Sequence, residues 1–385
     1  MDKQLPWEII FQEILPRIPA KTLIQYKCVS KDWYTSISSS SNSFFIKTHL
    51  DYWKSKSSNG VIQQPCDECY TFHDEETGEH FDLELHKLFN DDRKILIPFA
   101  SYDGLLLVQS IDYGNTHSFP SYYVCNPITR QLTKLPHPPF WLYPSEISFD
   151  PTTYKYKVVS WSNQQGCAIF TLGDDDGSGD SSSWRLVPLP SDVGDMYTRG
   201  VSVNGALYWV SISISCSINE PVSSSMCFIL SLDMNKEEIK KINMPTEEEY
   251  NKPPILVEFK GGLYAVFNSE ENLEKLVIWE LDDWKKYIWK KITKKCSNSE
   301  YVYTCVTTIV ARNRLKLQNG ILPLRRKNYQ YCLDHVNSLV SWDDKAFRKK
   351  KRKWCSSRGF KLVSYVTMFY LFFVFQIYPV VTKGS

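Results

Sequence analysis

With 385 residues, 43% of them hydrophobic and 23% charged, the chain falls outside the disordered class and is long enough to bury a large core in more than one unit. Its formal net charge of +2 excludes a global field that would recruit nucleic acid, so any electrostatic partner must be met by a local patch. The 11 cysteines are odd in number and mostly widely spaced, which favours a reducing compartment, and Glu8 and Glu13 interrupt the only early apolar run, so no export leader is expected.

The first elements are helical. In "LPWEIIFQEILPRIPAKTLIQYKCVSKDW", residues 5–33, Leu5, Ile9, Ile10, Ile14 and Leu15 recur at helical spacing while Glu8, Gln12 and Glu13 fall largely off that face. Pro6 is tolerated early in a helix, and Pro16 stops it where the pattern ends. Ile18 and Pro19 lead into a second helix with Leu23, Ile24 and Tyr26 on its apolar side. Ser30 can cap a third, carrying Trp33 and Ile37, before "SISSSSNS" ends the unit. Three helices this short bury too little surface to stand alone, so the unit needs a neighbour or a bound partner.

The segments LP, EIL, IPAKTL and CVSKDW, in this order and spacing, resemble the F-box motif, especially that of plant F-box proteins. The resemblance implies that Leu5, Pro6, Ile9, Ile14, Leu15, Ile18, Pro19, Leu23, Val29 and Trp33 contact a Skp-type adaptor or pack the motif. Pro16 stands where the family usually carries a polar residue, which puts the end of the first helix in a shifted place. The alternative is that these helices only cap the domain that follows.

Beyond them the chain reads as strands and turns, as its 14% aromatic content favours. "YDGLLLV" (102–108), "VNGALYWV" (203–210) and "KGGLYAVF" (260–267) share a turn glycine followed by an apolar or aromatic strand. A second repeat couples a turn to a strand and a closing proline in "CNPITRQLTKLPHP" (125–138) and "LDMNKEEIKKINMP" (232–245), with "FDPTTYKYKVVSW" (149–161) as a variant. Asn126, Asp150 and Asp233 can accept backbone N–H groups two residues on, so each marks a hairpin corner. Further strands open at Trp184 and Trp289. The unit recurs at about 50 residues, the length of a kelch-type four-stranded blade, giving roughly six or seven blades.

NG-x-L-x-W, NP-x-T-R and DP-x-T-x-x-YKVV together resemble the F-box associated domain of the same plant family, and the resemblance covers most of the chain. The expected fold class is mainly β: a small N-terminal three-helix F-box over 1–48, a linker and first strands over 49–95, a kelch-like β-propeller over 96–366 and a hydrophobic tail over 367–385. The alternative is a β-sandwich-like all-β domain.

Candidate chemistry is sparse. Cys66, Cys69, His73 and His80 are metal-ligand types, but their spacing is not that of a standard zinc finger, and the acidic residues among them equally describe a solvated linker. "GDDDGSGD" (173–180) lacks the glutamate and flanking helices of a calcium loop and reads as an exposed connection. No phosphate loop, nucleophile elbow or HExxH pattern is present, and Asp334–His335 has no nucleophile beside it, so no catalytic residue, metal or cofactor is expected. "RKKKRK" (348–353) can be an import signal, a phosphate contact, the basic flank of a membrane segment or a solvated loop. The stretch 362–381 is free of charge for about 20 residues, long enough to span a bilayer, and is either a tail anchor facing the cytoplasm or a last strand with an aberrant extension.

The expected function is that of a non-catalytic substrate receptor in a Skp–cullin–F-box ubiquitin ligase. Its partners are the adaptor, cullin through it and a target protein, with no nucleic acid, in the cytoplasm or nucleus. Rival readings are an adaptor-binding protein outside a ligase, a propeller enzyme and a membrane-tethered receptor at 362–381.

Overall fold

The computed structural model describes residues 9–38, 43–55, 60–66, 69–73, 78, 80–89, 94–112, 120–139, 143–162, 166–173, 184–196, 199–213, 227–245, 253–268, 276–292 and 332–341. All belong to one structural unit, Met1–Trp342, whereas the second unit, Asp343–Ser385, lies wholly outside them. The basic run 348–353 and the apolar stretch 362–381 fall in that second unit, as Leu5 and Pro6 fall in the undescribed first residues. Among the described residues no helix is long and apolar enough to cross a membrane.

The chain enters through α1 (Ile10–Ile14), where Pro16 sets the geometry. Proline has no N–H and its ring crowds the carbonyl four residues back, so the turn before it widens. The Leu15 N–H accordingly donates to the Ile10 carbonyl five residues back, and the chain tightens into a 3₁₀ turn over Leu15–Arg17. Pro16 thus ends the regular pitch rather than the helix, which closes where the Ile18 N–H meets the Leu15 carbonyl at 3.1 Å. Pro19, held extended, starts α2 (Ala20–Tyr26), and α3 (Lys31–Ser38) is capped by Ser30 Oγ, which accepts the Trp33 N–H at 3.1 Å.

A fourth helix, α4 (Ser43–Ser55), follows the serine-rich stretch, so the helical unit runs past the end that this stretch marks in the sequence. Phe45, Ile46, His49, Leu50 and Trp53 recur at i, i+1, i+4, i+5 and i+8, a helical face turned inward. Phe45 meets Phe11 edge-on at 5.8 Å, tying α4 to α1. Ile46 and Leu50 pack into an apolar cluster of the β region, so α4 is held from both sides.

The first sheet contains β1 (Gly60–Cys66), β2 (Cys69–His73) and β3 (His80–Asp82), after which comes α5 (Leu85–Phe89). The second is β4 (Lys94–Tyr102), β5 (Leu105–Asp112), β6 (Ser121–Asn126) and β7 (Gln131–Lys134). The third is β8 (Tyr143–Asp150), β9 (Lys155–Ser162), β10 (Gly166–Thr171) and β11 (Arg185–Val187). The fourth holds β12 (Val193–Met196), β13 (Val201–Val203), β14 (Ala206–Ser213), β15 (Cys227–Asp233) and β16 (Glu238–Ile242). The fifth is β17 (Ile255–Phe259), β18 (Gly262–Asn268), β19 (Leu276–Asp283) and β20 (Ile288–Ile292). Finally β21 (Cys332–His335) returns to the start and pairs antiparallel with β1, from Gly60 opposite His335 to Gln63 opposite Cys332.

Strand alternation explains how successive sheets pack on one another. Leu105, Leu106, Leu107 and Val108 are each 0% exposed, although they are consecutive. Leu105 and Leu107 pack with Ile147 and Val158 of the third sheet, while Leu106 and Val108 pack with Ile62 and Phe72 of the first. In the fourth sheet Leu207 and Trp209 face Val159 and Ile169 of the third, and Tyr208 and Val210 face Ala265 and Phe267 of the fifth. Each such side chain contributes about 2 kcal/mol of apolar burial. Among the described residues, burial on both faces of the second, third, fourth and fifth sheets, not two packed sheets, departs from the β-sandwich alternative.

The repeated turns have two designs. Asp103–Gly104, Asn204–Gly205 and Lys260–Gly261 all have positive φ at both residues, the geometry of a two-residue hairpin that matches strand twist. Asn126, Asp150, Asp233 and Asp283 each accept two backbone N–H groups two and three residues on, at 2.9–3.3 Å. Each turn then closes through a positive φ at Arg130, Tyr154, Glu237 or Tyr287. Asp283 was missed in the sequence because "DDWKKY" has neither proline nor methionine after the aspartate.

Candidate functional site

The helical unit divides the motif residues by burial. Leu15, Ile18, Leu23 and Trp33 are buried and hold the helices together. Ile9 is 43% exposed, and Ile14, Pro19 and Val29 keep part of their surface open, so these four can meet another protein. Leu5 and Pro6 lie outside the described residues.

His49 fixes the unit from inside. Its Nε2 is 2.9 Å from the Ile18 carbonyl, and because a carbonyl only accepts, Nε2 carries the proton. Nδ1 has no hydrogen-bond partner among the described residues. Burial pushes the imidazole down to about 4, against a small opposing pull from the Ile18 carbonyl, so the ring is neutral in the folded state near pH 7.

At the far end of α4, Lys54 pairs with Asp103 in the β4–β5 turn and lies over the Tyr102 ring at 5.0 Å. Burial, the largest single influence, would lower the ammonium's pKa, but Asp103, Tyr102 and Glu258 together outweigh it and hold Lys54 above its ordinary value. Tyr156 of the third sheet donates to Asp103 Oδ2 at 3.1 Å, and Ser338 Oγ donates to the Asp103 carbonyl. The returning segment is gripped again by Asn126, whose Nδ2 donates to the carbonyls of Ser338 at 3.1 Å and Val340 at 3.0 Å. Gly104 permits this approach: a Cβ there would sit 2.2 Å from Ser338 Oγ and 2.7 Å from the Val336 carbonyl.

The tight turns of neighbouring sheets touch one another, Asn204 Nδ2 donating to the Gly261 carbonyl at 3.0 Å, so they share one end of the β region. The helices dock at that end. Between the third and fourth sheets, Lys157 bridges Asp150 at 3.1 Å and Glu237 at 2.9 Å, and Arg185 grips the same Glu237 through two nitrogens. Farther along β8, Glu146 accepts the Gly200 N–H at 2.9 Å. Burial pushes its carboxyl up to about 7, against the opposing pull of Arg199 and the Gly200 N–H. These charged groups are bolts between sheets; among the described residues no nucleophile and base converge on a common reacting position.

The ligand-type residues of the first sheet do not converge as a group of four. Cys66 is opposite Cys69 at one end of β2 and His73 is opposite His80 at the other, four residues away, or about 13 Å along the strand. Among the described residues no three of His, Cys, Asp and Glu are grouped to hold a metal. Among the described residues, Cys28, Cys125, Cys167 and Cys227 form no disulfide bond.

Comparison with known families decides what this architecture is. Residues 62–315 match the family described as F-box associated beta propeller domain. The chain belongs to that family. Its relatives include F-box protein At5g49610 of Arabidopsis thaliana, 27% identical over 92% of each chain. F-box protein At5g07610 of the same plant is 27% identical over 70% of this chain and 66% of its own length. Putative F-box protein At3g10430, also from Arabidopsis thaliana, is 29% identical over 63% and 62%. This chain therefore spans about two thirds of the length of the latter two. TolB from Acinetobacter baumannii, a solved structure, superposes with a TM-score of 0.37 at 11% identity, over 66% of this chain and 59% of that one, too low to carry an argument. Within the F-box associated β-propeller family, the matched segment starts inside β1 and stops before β21, so the strand that completes the first sheet lies beyond it.

Proposed function

We propose that this F-box protein is the substrate-recognition subunit of a Skp–cullin–F-box ubiquitin ligase. One observation carries the reading: the motif-bearing helices are packed onto the tight-turn end of the β domain through α4, while Ile9, Ile14, Pro19 and Val29 keep surface for an adaptor. In this reading the N-terminal helices are the F-box, the adaptor brings cullin, and the β domain, with six or seven blades, holds a target protein for ubiquitination in the cytoplasm or nucleus.

The mechanism is proximity. A receptor that holds an acceptor lysine beside the charged ubiquitin enzyme raises its effective concentration and needs no catalytic residue of its own. Firm docking of α4 suits that role, because a fixed spacing preserves effective concentration where a floppy one dilutes it.

Reconstitution tests the proposal. The full chain, a Skp-type adaptor and a cullin are expected to elute as one complex that transfers ubiquitin to co-purified target. Retention of adaptor without cullin would instead assign the protein an adaptor-binding role outside a ligase.

A further inference from the structure

The outer hairpin of the first sheet carries a feature that receptor function does not use. The β2–β3 register sets His73 directly opposite His80. Strand alternation sends the intervening residues, Phe72 and Phe81, to the core face, where their rings lie 5.2 Å apart. Both imidazoles therefore occupy the outward face, with His73 half-buried and His80 exposed. Their ring centroids are 5.7 Å apart at an interplanar angle of 72°.

That separation is close to what chelation requires. A divalent transition ion binds imidazole nitrogen at about 2.0–2.1 Å, which places each ring centroid about 3 Å from the ion and two tetrahedrally disposed rings about 5 Å apart. A small rotation of either side chain closes the difference. Both ligands stand on paired strands rather than on a loop, so little order has to be created on binding. The next cross-strand pair along this face, Thr71 opposite Asp82, adds an exposed carboxylate about 6–7 Å along the strand. That is too far for a third ligand and suits a hydrogen bond to an ion-bound water.

We propose that His73 and His80 form a bidentate site for a divalent transition-metal ion of the imidazole-binding class, Zn²⁺, Ni²⁺ or Cu²⁺, with its remaining positions open to water. Mg²⁺ and Ca²⁺, which take oxygen ligands, are not bound there. The site is independent of the receptor reading and stands on the hairpin alone.

Ni²⁺ is the probe of choice, because the chain's cysteines compete more strongly for Zn²⁺. Calorimetric titration of the full chain is expected to give one ion per hairpin with micromolar affinity. His73→Asn or His80→Asn weakens it about tenfold or more; Cys66→Ser, Cys69→Ser and the exposed control His137→Asn leave it unchanged. Cu²⁺ bound to the wild type shows coupling to two nitrogens in its paramagnetic resonance spectrum and loses one in either histidine variant. Both histidine substitutions are at surface positions, and unchanged circular dichroism melts confirm that they fold. The proposal is overturned by Ni²⁺ affinity that neither histidine substitution moves, by loss on cysteine substitution instead, or by no binding below millimolar ion.

Discussion

Lys54, in the last turn of α4, forms an ion pair with Asp103, in the two-residue turn between β4 and β5. The same aspartate receives the Tyr156 hydroxyl from the third sheet and, through its carbonyl, Ser338 from the returning C-terminal segment. Four parts of the chain that are far apart in sequence thus meet at one turn. It is the point at which the orientation of the helices is fixed against the β domain.

Asp103→Ala is expected to cost about 2 kcal/mol. A fully buried pair broken on one side costs roughly 3–5 kcal/mol, and Lys54, 41% exposed, recovers part of that by hydration. Denaturant unfolding checks the magnitude. Hydrogen exchange should show lost protection within Ser43–Ser55 ahead of the β5 strand.

His49 makes stability fall in acid. Its folded pKa is depressed to about 4, so between the ordinary value near 6.5 and about 4 the unfolded chain takes up a proton that the folded chain refuses. The contribution is fully present above pH 6.5, is lost as pH falls toward 4 and amounts to on the order of 3 kcal/mol. Urea midpoints measured at pH 7.5, 6 and 5 should fall in wild type and fall less steeply in His49→Gln.

Glu146 works in the opposite direction. Its folded pKa is raised to about 7, so its contribution is present below the ordinary value near 4.5 and lost as pH rises through 7, where an ionised carboxylate must be kept between sheets. Glu146→Gln keeps an acceptor for the Gly200 N–H and removes the charge. It should gain about 1–2 kcal/mol over wild type at pH 8 relative to pH 5, after allowance for partial exposure. Paired melts at the two pH values test the sign.

Ending the chain at residue 315, where the family match ends, removes β21 and the segment that Asn126 grips. The edge of β1 and the donors of Asn126 are then left open. Such a protein is expected to aggregate or unfold without a cooperative transition, whereas one ending at residue 342 keeps both partners. Size-exclusion chromatography with thermal melts separates the two outcomes.

The hairpin corners were legible because their chemistry is local: glycine after Asp103, Asn204 or Lys260 permits the left-handed pair, and Asn126 or Asp150 caps its own turn. The Ser30 cap was legible for the same reason. α4 was missed because its inward face includes His49, which reads as polar although its one donor is met by Ile18 and its ring is buried. β21 was missed because nothing in "CLDH" announces a partner some 270 residues earlier; that pairing follows from closure of the first sheet. The Asp103 junction was equally hidden, since its members come from four distant segments.

The measurement that most directly tests the account is co-purification of the full chain with a Skp-type adaptor, beside an Ile9→Asp, Ile14→Asp variant whose changes fall at surface still open in the folded chain. The account predicts that wild type retains the adaptor, and that the variant loses it with an unchanged melting temperature. Equal retention by both, or by neither, would contradict the assignment of these helices as the docking element.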